Sequence, residues 1–195
     1  MLNLNTVPCR RLSLPKLMPT KAYATPIDDQ ISWREADHSH LLPAHLVAFL
    51  QAGVNATLGA RSAAGRPVIG IGVACCVRDM EELRVLVPKA ANLPLLDAIT
   101  TGSALAATFS RARDHRSIQL KAPQASVRDI EPGDLSEAAR QSALLADDLI
   151  ELGFSRIQAE AFAFRNATDL VALVFRPDRV FTQTPGPGAG AELRK

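Results

Sequence analysis

The chain has 195 residues, 47% of them hydrophobic and only 5% aromatic, which suits one domain around a Leu/Val/Ala/Ile core. Its net charge of +2 is spread along the sequence without interleaved aromatics, so it offers neither the basic stripe nor the stacking platform that nucleic acid requires. No apolar run approaches the roughly 18 residues of a spanning helix, and Cys9, Cys75 and Cys76 form no disulfide framework. The expectation is a soluble, cytoplasmic protein that uses neither nucleic acid nor membrane.

The chain opens MLNLNTVPCRRLSLPKLMPTKAYATP, with no acid before Asp28. Pro8, Pro15 and Pro19 interrupt it, and it lacks the continuous apolar core of a secretory signal. Residues 1–25 are expected to be a flexible arm and 26–195 the domain. HLLPAHLVAFLQAG reads as a helix, with Ser39 as N-cap, Pro43 in the first turn and Gly53 as the stop.

Val54–Ala60 and Pro67–Val77 are β-rich runs around a small-residue turn ending in Gly65, a hairpin signal. Gly70 and Gly72 share one face of the second run, where glycine marks curvature or close approach by a ligand or backbone. Adjacent Cys75 and Cys76 then point to opposite faces, one buried and one half-exposed. Leu83–Val87 is a third strand and Lys89–Thr101 a helix. Ser103–Ser110 and Arg116–Val127 are two more strands around the turn RARDH.

Asp134–Leu152 carries Leu144, Leu145, Leu149 and Leu152 on a helical stripe, with Asp134 as cap and Gly153 as stop. Phe154–Phe164 is ambiguous between loop and short helix, Asp169–Phe175 is a buried-type strand, and TPGPGAGAELRK is irregular. Strands that come as hairpins before any crossover helix predict a mainly β fold: six antiparallel strands curled into a barrel, with flanking helices.

The chain has no P-loop, CxxC, HExxH or GxSxG, and GIGVAC lies within a strand rather than opening a helix. His38, His40 and His45 lack ligand spacing, so no metal is expected. Three features point to a mononucleotide cofactor. Arg111, Arg113, His115 and Arg116 gather positive charge between two strands. Ser117 and Gln119 share one parity of the second strand and offer a hydroxyl and an amide to a planar heterocycle. Lys89 stands where a strand meets a helix start, a favourable place for an anion.

HRSIQLKA resembles the R-x-x-Q-[LV]-[KR]-G strand of the pyridoxamine 5′-phosphate oxidase-like, FMN-binding split-barrel superfamily. VFRPDRVFTQTPGPGAGAEL resembles a C-terminal signature of one branch of it, and the likeness covers roughly residues 40–192. The resemblance implies a six-stranded split barrel, a homodimer, and FMN bound between subunits with a small-molecule substrate. It places Lys89 at the flavin phosphate, and Arg116, Ser117 and Gln119 beside the isoalloxazine ring. It brings Gln183 and the TPGPGAG turn to the site or the dimer seam.

Two departures bear on activity. The strand VIGIGVACC lacks the Arg and Lys that grip the phosphate in the oxidases, and their C-terminal substrate-binding Arg and His are absent. The resemblance therefore implies a flavin-dependent oxidoreductase of unassigned substrate rather than a pyridoxamine phosphate oxidase. The alternative is a non-catalytic barrel that binds flavin, haem or another planar ligand.

Overall fold

Period-two alternation of apolar and polar residues organises the chain into two antiparallel sheets with flanking helices, a mainly β fold. The computed structural model describes residues 23–162 and 169–194, so most of the expected N-terminal arm, with Cys9, lies outside the described residues. β1 (Asn55–Arg61) and β2 (Pro67–Gly72) form the expected hairpin. Gly65 takes φ +78° in its turn, a conformation costly for any residue with a Cβ.

The strand expected over Pro67–Val77 does not run straight through. It breaks at Val73, whose N–H donates to the Leu86 carbonyl, and resumes in the other sheet as β3 (Ala74–Arg78), followed by β4 (Glu82–Pro88). β5 (Leu105–Ser110) and β6 (Ser117–Ala122) pair antiparallel. The long strand expected over Arg116–Val127 stops at Pro123, which has no N–H to donate, and resumes as β7 (Ser126–Arg128). β8 (Leu170–Phe175) is as expected, whereas β9 (Arg179–Thr182) is not announced by the sequence pattern.

The sheets run β2-β1-β5-β6-β9 and β3-β4-β8-β7. Because β2 continues into β3 and β6 into β7, the pairings lead from β1 through β2/β3, β4, β8 and β7/β6 to β5, and back to β1. Where six strands were expected, two break at the corners between sheets and β9 adds to the edge. Leu58, Val85, Phe109, Leu120 and Leu173 are fully buried between the sheets.

α1 (Pro26–Arg34) was not expected. It starts from a capping box: Asp28 N–H donates to Thr25 Oγ1 (3.3 Å) and Thr25 N–H to the Asp28 carboxylate (2.8 Å), with Pro26 in the first turn. α2 (Ala44–Leu50) is shorter than expected, because Pro43 takes the cap position while Ser39 bonds to Asp37 instead. A 3-10 turn (Ala90–Asn92) precedes α3 (Leu93–Thr100).

α4 (Asp134–Glu151) matches the strongest helical pattern, but Gly133 at φ +96° holds the cap position. Asp134 is buried in the first turn instead, against Arg84. α4 covers the outer face of the second sheet, and its Gln141 satisfies the edge strand β3 by accepting from Cys75 N–H (3.0 Å) and donating to Cys75 O (2.7 Å). α5 (Arg156–Ala161) is the short helix left open by the sequence.

Candidate functional site

On β6, Ile118, Leu120 and Ala122 are buried in the core, so Ser117, Gln119 and Lys121 face outward from the five-stranded sheet. Strand register sets their neighbours. Gln119 lies opposite Thr108 and Phe181, and Thr108 opposite Thr57, itself opposite Ile71. Lys121 lies opposite Ala106 and Arg179, with Gly59 and Ile69 completing the next row. No described helix is laid over the β2 end of this face, where Ile69 is 73% and Ile71 64% exposed.

Gln119 Nε2 donates to Thr108 Oγ1 (3.0 Å), while its carbonyl oxygen has no hydrogen-bond partner among the described residues. The Ser117 hydroxyl lies 2.8 Å from Ser110 Oγ and 3.1 Å from the His115 carbonyl, so its needs are met within the protein. Gln183 is half-buried, and its N–H donates to Ser117 O (2.7 Å). Ser117, Gln119 and Gln183 are thus brought together at the β6–β9 seam. Lys121 Nζ sits 4.4 Å from the centre of the Phe181 ring, a cation–π contact on the same face.

The basic cluster is not free charge. Arg116 Nε donates to Asp29 Oδ1 (2.8 Å) and its guanidinium stacks over Phe49, 4.7 Å from the ring centre. Arg111 pairs with Asp114 (2.9 Å) and Arg113 with Asp148 (3.4 Å), so each guanidinium meets a carboxylate. Burial nonetheless pushes the Asp148 carboxyl above its ordinary range, with Arg113 and Arg111 opposing it. Burial and the neighbouring Arg116 hold the His45 imidazolium below its ordinary pKa.

Lys89 is exposed at the end of β4, in the other sheet, and does not join the β6–β9 group. Two of the N–H groups at the helix start, where an anion was expected, are already used. Ala90 N–H donates to the Asp169 carboxylate (2.9 Å) and Lys89 N–H to the Asp169 carbonyl (2.7 Å). The Lys89 side chain itself stays exposed.

Gly70 and Gly72 face inward and leave no slot for a ligand. A Cβ on Gly70 would collide with the Asn92 side-chain oxygen and approach Leu95 Cδ2 to 2.5 Å; one on Gly72 would meet Val85 Cγ1 at 2.5 Å. Asn92 fills the space, accepting from Ile71 N–H (2.9 Å) and donating to Pro88 O (2.7 Å).

Two clefts flank the bare face. One of about 620 Å³ runs between the β1–β2 hairpin and the α3–β5 loop, floored by Gly59 and Ala106 and walled by Ile69. Another of about 360 Å³ lies between the start of β1 and α4, walled by Ile71, Leu145 and Phe162. Neither includes Ser117, Gln119 or Lys89. Cys75 is buried and Cys76 half-exposed, as expected, and burial together with Asp134 pushes the Cys76 thiol up to about 11, the wrong direction for a nucleophile.

Asp29, Thr182 and Thr184, which no sequence pattern marks, converge behind the site. Thr182 Oγ1 and Thr184 Oγ1 donate to Asp29 Oδ2 at 2.7 and 2.6 Å. The one available signal was the Thr25–Asp28 spacing that starts α1.

No protein-family model and no curated protein matches the chain. Similar solved structures include HupZ from Group A Streptococcus, 13% identical, covering 77% of this chain and 99% of that one, with a TM-score of 0.48. They also include a pyridoxamine 5′-phosphate oxidase-related, FMN-binding protein from Nostoc punctiforme: 14% identical, 74% and 83% covered, TM-score 0.42. A third is HutZ, the haem storage protein from Vibrio cholerae: 14% identical, 70% and 91% covered, TM-score 0.41. Likeness at this level leaves its chemistry to be read from its own residues.

Proposed function

We propose that the protein is an FMN-dependent oxidoreductase of the pyridoxamine 5′-phosphate oxidase-like class, acting on a small molecule, with its flavin held on the outer face of the five-stranded sheet. The observation that carries this reading is Gln119. Its carbonyl oxygen, without a partner among the described residues, stands on a partly apolar face and can accept from a ring N–H, beside Ser117 and Gln183. The return of the pairings to β1 supports a six-stranded split barrel with β9 appended.

The two halves of the site lie apart in one chain, since three strand spacings of about 4.8 Å separate β2, beside the Lys89 turn, from β6. A homodimer resolves this: one copy presents Gln119, Ser117 and Gln183 to the ring, with Arg116 held behind them by Asp29, and the other brings Lys89 to the phosphate. Bound flavin would supply two-electron transfer, while the chain's own residues orient the ring and exclude water.

Titration of the purified protein with FMN tests this. The expected result is uptake of one flavin per chain, weakened roughly two- to tenfold by Gln119→Ala, the range of one lost hydrogen bond. Absence of uptake overturns it. Sedimentation as a 20.9 kDa monomer overturns the two-copy site.

The second reading is a non-catalytic binder of flavin, haem or another planar ligand. It is favoured by Ile69 and Ile71, which put no base for a phosphate on the outward side of β2. Stoichiometric haem uptake without flavin uptake would select it.

A further inference from the structure

The side chain of Asp29 is buried at 1% exposure and comes from α1, yet its partners all lie at the far end of the sequence or beside the candidate site. Oδ1 accepts from Arg116 Nε at 2.8 Å, and Oδ2 from the hydroxyls of Thr182 and Thr184 at 2.7 and 2.6 Å. The chain of contacts continues. Thr184 Oγ1 accepts from Ser117 N–H (3.0 Å), and Gln183 N–H donates to Ser117 O (2.7 Å). Both hydrogen-bonding groups of the Ser117 backbone are therefore held by the Gln183–Thr184 segment, and that segment is held by Asp29.

The glycine-rich turn after it fits the same helix. A Cβ on Gly186, at φ +136°, would press to 3.2 Å from Pro26 Cδ, and one on Gly188, at φ +95°, would lie 3.4 Å from Gln30 Nε2. The QTPGPGAG segment thus folds over α1 as well as bonding to its carboxylate.

We propose that α1 is a clasp and Asp29 a positioning residue: through Thr184 and Arg116 it fixes Ser117 and Gln183 at the place where a ligand's ring would rest. Asp29 touches no ligand itself. Its single carboxylate holds three donors from two segments, and charge-assisted bonds of this kind are stronger and more directional than neutral ones. The clasp rests on the geometry of the fold, and its effect on ligand rests on the flavin reading above.

The test is amide hydrogen exchange in the full-length protein, with FMN affinity measured in parallel. Thr184→Val keeps the shape but removes the hydroxyl, Thr184→Ser restores it, and Asp29→Asn removes the charge. Ile31→Ala, at an exposed position of α1 outside the Asp29 contacts, is the control. Exchange at Ser117 and Gln183 is expected to quicken up to about tenfold in Thr184→Val and Asp29→Asn. It should remain at the wild-type rate in Thr184→Ser and Ile31→Ala, with Val85 in β4 unchanged throughout.

If the rates do not change, or rise equally at Val85, the clasp is overturned. FMN affinity should fall in the same two variants and recover in Thr184→Ser; if exchange quickens but affinity holds, the positioning role is overturned. If the wild type takes up no FMN, the flavin reading fails while the exchange result still decides the clasp.

Discussion

On the four-stranded sheet, the outward residues Arg84, Leu86 and Ala172 are sealed beneath α4; on the five-stranded sheet, Ile69 and Ile71 stand in the open. The sealed face carries an ion pair in which Arg84 Nη2 donates to Asp134 Oδ2 at 2.7 Å and to the Asp129 carbonyl at 3.2 Å, with both charged side chains almost wholly removed from water. The open face carries hydroxyls, an amide, two glycine- or alanine-sized floors and bare isoleucines. The sealed face meets its partners within the chain except at Arg84 Nε, a buried donor with no acceptor among the described residues. The other has exposed isoleucines and an acceptor with no partner among the described residues, the usual mark of a surface that meets something else.

Breaking the sealed face should have the largest effect. Arg84→Ala leaves Asp134 buried without its cation and is expected to cost about 3–5 kcal/mol, read from urea unfolding. A loss under about 1 kcal/mol would mean that α4 does not depend on the pair. Next is the inward seam between the faces. Gly70→Ala drives a methyl into Asn92 and Leu95 and should cost about 1–3 kcal/mol by the same measurement. The double variant Gly70→Ala, Asn92→Ala should recover part of that loss.

A smaller, pH-dependent effect belongs to His45. Its folded pKa is held below the ordinary value of 6.5, so below about that pH the unfolded chain binds more protons than the folded one. Its contribution is fully present above that pH and is lost as pH falls towards the folded pKa. Thermal midpoints should therefore decline faster between neutral and mildly acidic pH in the wild type than in His45→Gln. The smallest effect on folding is expected at the open face, where Ile71→Thr should change stability by less than about 0.5 kcal/mol. The same variant should weaken self-association in sedimentation, and a dimer indifferent to it would place the interface elsewhere.

Much of the architecture was legible because its signals are local. The alternation in β1, β2 and β4 and the leucine stripe of α4 are set by near neighbours. The breaks at Val73 and Pro123 were harder, because a strand that turns from one sheet to another keeps its alternation on both sides of the corner. α1 was missed because PIDDQISWR has little apolar periodicity, although the Thr25–Asp28 spacing marked its start. At the site, residue types were readable but their commitments were not. Arg116 looked available until Asp29, 87 positions away, arrived beside it, and the Lys89 turn until Asp169 did.

The pairing of β4 has a further consequence during synthesis. One of its neighbours, β3, leaves the ribosome just before it, but the other, β8, is encoded over eighty residues later. At about 5–20 residues per second, the interval from Pro88 to Phe175 is roughly 4 to 17 s. Throughout it the nascent chain exposes a bare flank of Leu83, Val85 and Val87 with unpaired backbone groups, the stretch on which a chaperone would act or an aggregate begin.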